Sequence, residues 1–143
     1  MISGLFHSGI TVSDLEQSLE FYGGRLGIEH IRSQVSDQPY LSGVTGFPDC
    51  SLKIGFAQVE GDTSVLEIVE YVRPKGGLAG AGFGRVGTPH LGWAVDDLSA
   101  AYQRLSARGV RFLATPDRVG EGLWRGARGV LLVDPDGVLI ELI

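Results

Sequence analysis

The stretch "PHLGWAVDDL" (89–98) opens with a proline and a histidine, crosses a short apolar run and closes on two aspartates and a leucine. Near the other end of the chain, "FHSGITVSDL" (6–15) spells the same pattern. Setting His7 on His90 also sets Gly9 on Gly92, Val12 on Val95, Asp14 on Asp97, Leu15 on Leu98 and Arg25 on Arg108. One residue is then skipped before Gly27-Ile28 meets Gly109-Val110. Two copies at so long a period do not make a solenoid. They read as two related supersecondary units.

Each copy carries its own punctuation. Ser13-Asp14 and Asp96-Asp97 offer side-chain oxygens that can cap the free N–H groups of a helix start. Leu15, Leu19, Tyr22 and Leu26 recur at helical spacing, as do Leu98, Ala101, Tyr102 and Leu105. Gly27 and Gly109 stand where a left-handed C-terminal stop belongs. Extended stretches follow at about 28–35 and 110–113, and further strands are expected at 51–59, 64–72, 129–133 and 137–143. "DPDG" (134–137) joins the last two as a hairpin. The expected fold class is therefore α+β: two βαβββ modules within one domain, at about 1–72 and 90–143, joined by a Gly-rich tract at 73–89.

Strand alternation then sorts the side chains. His7, Gly9 and Thr11 share one face of the first strand, and His90, Gly92 and Ala94 share one face of its counterpart. The bulky apolar residues take the other face, under the following helix, so each histidine sits beside small neighbours. The closing strands "LEIV" (66–69) and "IELI" (140–143) each place a carboxylate in an apolar run. Burying such a charge unpaired is costly, and a divalent metal ion is one way to neutralise it. His7, Glu67, His90 and Glu141 are thus the candidate metal ligands.

These residues, with "RLGI", "VLEIVEYV", "RLSARGV" and "DPDGVLIELI", make the chain resemble the vicinal oxygen chelate superfamily, which includes glyoxalases, bleomycin resistance proteins and extradiol dioxygenases. The resemblance covers nearly the whole chain. It implies a curved mixed sheet around a metal cavity, usually within a homodimer, with His7, Glu67, His90 and Glu141 on the four ligand positions. It also implies a lyase, isomerase or epimerase acting on a small oxygenated substrate through a metal-stabilised enediolate, with Glu141 or Glu67 as the base. Four ligands suit a Zn, Ni, Co or Mn ion. The rival readings are an Fe(II) dioxygenase using His7, His90 and Glu141, and a non-enzymatic binding protein for an antibiotic or other small molecule.

Thr11 and Tyr71 stand where bacterial lactoylglutathione lyases carry an Arg and an Asn, which argues against glutathione. Lys53 is the one charged residue where the epimerases carry an extra acid on the third strand. Tyr71, four residues after Glu67, is expected to face the cavity, either orienting substrate through its hydroxyl or serving as a hydrogen-bonded wall residue. Trp124 is a candidate for lining the pocket, and Arg125 and Arg128 are candidates for holding an anionic group. His30 has no repeated counterpart and reads as a satisfied or surface histidine. "GFGRVG" (82–87) fits a dinucleotide pattern, but a strand follows it where a helix is needed.

Composition narrows the partners. A net charge of −5 with twelve scattered basic residues gives no footprint for nucleic acid. No apolar run approaches the ~18 residues of a membrane span, and no export signal is recognised, so a cytoplasmic protein with a small-molecule substrate is expected. The single cysteine, Cys50, rules out an internal disulfide and reads as a packing residue. Glycine, at 22 of 143 residues, is about twice its ~7% average, which implies many turns and close backbone approaches.

Overall fold

A computed structural model describes residues 1–77 and 84–143, and the chain divides into two units, Met1–Ala79 and Gly80–Ile143. Parts of the Gly-rich tract and of "GFGRVG" lie outside the described residues.

In the first unit, strand β1 (Ser8–Val12) leads into helix α1 (Leu15–Leu19), which continues as a π-helical stretch over Glu20–Leu26. Strand β2 (Glu29–Ser36), a short helix α2 (Tyr40–Thr45) and strands β3 (Ser51–Gln58) and β4 (Val65–Arg73) follow. The sheet order is β1-β4-β3-β2, with β1 parallel to β4 and the other pairs antiparallel. A parallel neighbour needs a crossover connection, and the helices and strands between β1 and β4 supply it.

Helix α1 covers the face that carries Ile10, Val12, Leu66 and Ile68, all buried. Leu15 and Leu19 reach so close to β3 that a Cβ on Gly55 would lie 2.9 Å from Leu15 Cδ1 and 3.2 Å from Leu19 Cδ2. A side chain at Gly55 would therefore require the ends of the Leu15 and Leu19 side chains to shift. Asp14 caps the helix by accepting from Gln17 N at 2.9 Å. From β4, Glu70 accepts from Leu15 N at 2.9 Å while pairing with Lys53. The alternation that puts Lys53 and Glu70 on the helix side removes both from the opposite face.

The second unit repeats this connectivity with shorter pieces: β5 (His90–Trp93), α3 (Leu98–Ala107), β6 (Arg111–Phe112), β7 (Asp117–Arg118), β8 (Arg128–Val133) and β9 (Leu139–Leu142). Its order is β5-β9-β8-β6, with β5 parallel to β9 and β7 set against β8. Asp97 caps α3 by accepting from Ala100 N at 3.0 Å, and Leu98, Ala101 and Leu105 are buried beneath it. Tyr102 is less buried and packs on Phe112 at 4.6 Å between ring centroids. In "DPDG", the buried Asp134 carboxylate accepts from Asp136 N and Val138 N, and Gly137 turns at a φ of 89°, so β8 and β9 form the expected hairpin.

The α+β class and both modules are as read from the sequence, with two additions, α2 in the first unit and β7 in the second. The skipped residue also has a structural counterpart. Ile28 N donates to Tyr22 O, six residues back, whereas Val110 N donates to Leu105 O, five back. The extra residue of the first copy is absorbed as wider, π-type turns, the usual way a helix accommodates one insertion. This rewinding buries Phe21 beside Tyr22 and leaves Leu26 only partly covered.

Candidate metal centre

In each unit the parallel pair of strands brings one histidine to one glutamate. Gly9 is the register partner of Glu67 and Gly92 is the register partner of Glu141, so each His lies two residues ahead of the glycine facing its Glu. His7 Nε2 lies 3.2 Å from Glu67 Oε2, and His90 Nε2 lies 3.4 Å from Glu141 Oε2. The side chains of His7 and Glu67 are 40% and 24% exposed, and those of His90 and Glu141 are 53% and 35% exposed. Both pairs are on the face away from the covering helix, open to solvent and to ligand.

Small residues make the room. A Cβ on Gly9 would sit 3.7 Å from Glu67 Oε2 and 3.9 Å from His7 Cδ2, and one on Gly129 would sit 3.6 Å from Glu141 Oε1. The donor atoms also fit a metal. Two adjacent ligands bound at about 2.1 Å lie roughly 3.0 Å apart around an octahedral ion and roughly 3.4 Å apart around a tetrahedral one. The two observed separations, 3.2 and 3.4 Å, fall in that range. Each unit by itself offers two such donors, and among the described residues no group of three or more His, Cys, Asp or Glu side chains positioned to hold an ion is found.

The other candidates are placed differently. Tyr71 shares the face of Glu67, as its spacing requires, but its ring packs edge-on to Phe47 at 6.0 Å and against Leu41, Cys50, Leu52 and Ile54. It is a wall residue of this apolar cluster, in which Cys50 is buried as a packing group. Trp124 and Arg125 lie in the β7–β8 loop, where Trp124 is 61% exposed and Arg125 is also exposed.

Arg128 turns away from Glu141. It shares the parity of the buried Val130 and Leu132, while Gly129 takes the face of Glu141. Its guanidinium donates to Ser99 Oγ at 2.9 Å and to Pro116 O at 3.3 Å, tying the start of α3 to the segment before β7. The structure does not bring Arg128 to the carboxylate. His30 is exposed and bonds Ser33 Oγ at 2.8 Å.

On the same face of the sheet as Glu67 is an open groove of about 430 Å³, lined by Ile31, Arg32, Gln34, Phe56 and Val65. Phe56 is the cross-strand partner of Glu67, and Val65 shares its face. Arg32 and Gln34 escape the sequence reading because nothing in a single strand's pattern shows an irregularity in its pairing.

Comparison with known proteins places the chain in a family and agrees with its fold. The chain is 30% identical over 141 residues to a 2-epi-5-epi-valiolone epimerase from Actinomyces sp., covering 96% of this chain and 76% of that protein. It is 28% identical to a probable lactoylglutathione lyase from Synechocystis sp., covering 97% and 93%. A glyoxalase family protein from Bacillus cereus has the same fold, with a TM-score of 0.85 at 17% identity, covering 99% and 93% of the two chains. Residues 4–142 match the family as a whole, and the chain belongs to the Glyoxalase/Bleomycin resistance protein/Dioxygenase superfamily.

Proposed function

We propose that His7, Glu67, His90 and Glu141 bind one divalent metal ion, with ligands from one chain or from two protomers of a homodimer, and that the protein is a lyase, isomerase or epimerase for a small oxygenated substrate. The observation that carries this is the repeated pair: the same two residue types, at the same register, at 3.2 and 3.4 Å, once in each unit. Polar contacts as exposed as these contribute ~0–1 kcal/mol to stability, so folding alone gives little reason to build the pair twice. Zn, Ni, Co or Mn suits two imidazole nitrogens and two carboxylates.

When bound, the ion would supply Lewis-acid polarisation of a substrate carbonyl that has a second oxygen beside it. The chain supplies the rest. Glu141 or Glu67 takes the proton from the carbon next to that carbonyl, and returns it for isomerisation or epimerisation. Each imidazole serves as a ligand through the Nε2 that faces its carboxylate, so the ring proton must reside on Nδ1. The likeness to an epimerase supports this chemistry. Glu67 lies as close to His7 as Glu141 does to His90, which favours four ligands over the two-His, one-carboxylate set of an Fe(II) dioxygenase.

Elemental analysis of the purified protein beside a His7→Ala, Glu141→Ala double variant tests the reading. Stoichiometric metal in the parent and none in the variant is expected. Equal low occupancy in both removes the metal centre and the reaction with it, while oxygen uptake with a catechol after anaerobic Fe(II) loading establishes the dioxygenase instead.

A further inference from the structure

The pairing of β2 with β3 slips by one residue. His30 is opposite Ala57, Arg32 is opposite Phe56, and Ile31 is the extra residue of a bulge. Ala57 is buried on the helix side, whereas Phe56 is paired with Glu67 on the other face. In an unbroken strand Arg32 would fall opposite Gly55, under the helix. The bulge reverses this and sends Arg32 and Gln34 to the face of Glu67, because a one-residue shift moves every later side chain to the other side.

Arg32 therefore stands in the wall of the groove beside Ile31, Phe56 and Val65, with Gln34 Oε1 accepting from its guanidinium. A neutral amide orients a guanidinium without neutralising it. Among the described residues Arg32 has no carboxylate within ion-pair distance, unlike Arg25 with Glu20 and Lys53 with Glu70. Part of this cation's planar fork stays open toward a groove otherwise lined mainly by apolar side chains. A carboxylate fits such a fork with two parallel hydrogen bonds.

We infer that Arg32 binds a carboxylate at one end of the substrate while the other end, bearing the adjacent oxygens, reaches Glu67; this rests on the metal reading above. Two strand spacings separate the Arg32 and Glu67 backbones, about 10 Å. Both side chains rise from the same face with Phe56 between them, so an extended molecule of a few bonds, lying over the Phe56 ring, spans a distance of this order. The substrate is thus a short oxygenated carboxylic acid, and Arg32 is a specificity residue with no part in the proton transfer.

The test uses the metal-loaded full chain and a series of dicarboxylic acid monohydroxamates, about four to eight carbons long, each beside its methyl ester. The hydroxamate presents two adjacent oxygens, and the far carboxylate is present or masked. By calorimetry, the parent should bind the best acid about ten-fold or more tighter than its ester, as expected for a charge-assisted contact. In Arg32→Ala that preference should vanish, with the ester's affinity and the melting temperature unchanged, and Arg32→Lys should restore part of it. Metal-dependent binding of acid and ester without preference, or a preference that survives in Arg32→Ala, overturns this inference alone. If neither probe binds in a metal-dependent way, the metal reading falls and this inference falls with it.

Discussion

The first unit has strands of eight and nine residues, a second apolar cluster under α2, and an open groove on the same face as Glu67. The second unit reaches the same connectivity with strands of two to six residues and an exposed β7–β8 loop. The two nevertheless agree at the His–Glu pair and at the glycine opposite each carboxylate. The lesson is that the repeat preserves the geometry of the His–Glu pair, while the surroundings of that pair are free to diverge. In the first unit those surroundings include an open groove lined by Arg32 and Phe56.

The largest effects should come from the cores that hold the two pairs in place. Ile68 and Leu142 each follow the glutamate of a His–Glu pair and turn to the helix side, where both are buried. Truncating either to alanine should cost about 2–5 kcal/mol, measured as a shift in the urea unfolding midpoint. Ile68 should be the costlier, since longer strands leave its site less able to collapse. A negligible cost at Leu142 would mean that the short sheet of the second unit does not depend on its own core.

The next effect compares the ligands. His7→Ala and His90→Ala should each weaken metal binding by more than about 100-fold, because replacing even an outer-shell partner of a ligand costs about 10–100-fold. Competition with a chromophoric chelator measures it. An effect confined to one histidine would break the equivalence of the units and reduce the site to a single pair.

Much of this comparison is legible in the sequence because it rests on local rules. Asp14, Asp97, Gly27 and Gly109 mark helix ends through backbone needs that few residue types meet, and strand alternation places His7 and Glu67 on one face without knowledge of the rest of the fold. Features set by pairing between strands are not legible in this way. The bulge at Ile31 depends on how β2 meets β3, so the sequence reading passes over Arg32. Arg128 shows the converse: charge and position suggest an anion site, but its parity within β8 and its bonds to Ser99 and Pro116 give it a structural task. Tyr71 has the predicted face, yet the apolar cluster under α2, which could not be foreseen from β4 alone, engages its ring.

Helix starts give a smaller contrast. Helix α1 has two carboxylates at its N-terminus, Asp14 and Glu70, whereas Asp97 serves α3. Removing a cap of this kind costs about 0.5–2 kcal/mol. Asp97→Ala should lie in the upper half of that range and Asp14→Ala in the lower, since Glu70 continues to hold Leu15 N. Equal costs, read from thermal melts, would show that Glu70 gives α1 no independent support.

The smallest and sharpest contrast is between the glycines that face the glutamates. Gly9 and Gly92 both lie in extended strands, without the positive φ that would forbid a side chain. Alanine at either should stabilise the fold by about 0.4–1 kcal/mol, by restricting the unfolded chain. Their effects on the metal should differ. A methyl group at Gly92 meets nothing within 4 Å, whereas one at Gly9 touches Glu67 Oε2 at 3.7 Å and narrows the arc through which that carboxylate moves. Metal affinity should therefore be unchanged in Gly92→Ala and altered by less than about ten-fold in Gly9→Ala, the smaller end of what a neighbour of a ligand controls. Because both variants gain the same methyl group, a difference in metal titration between them cannot come from the stability of the strand. It isolates the space left for Glu67 to move, and identical titrations would show that this space has no influence on the ligand.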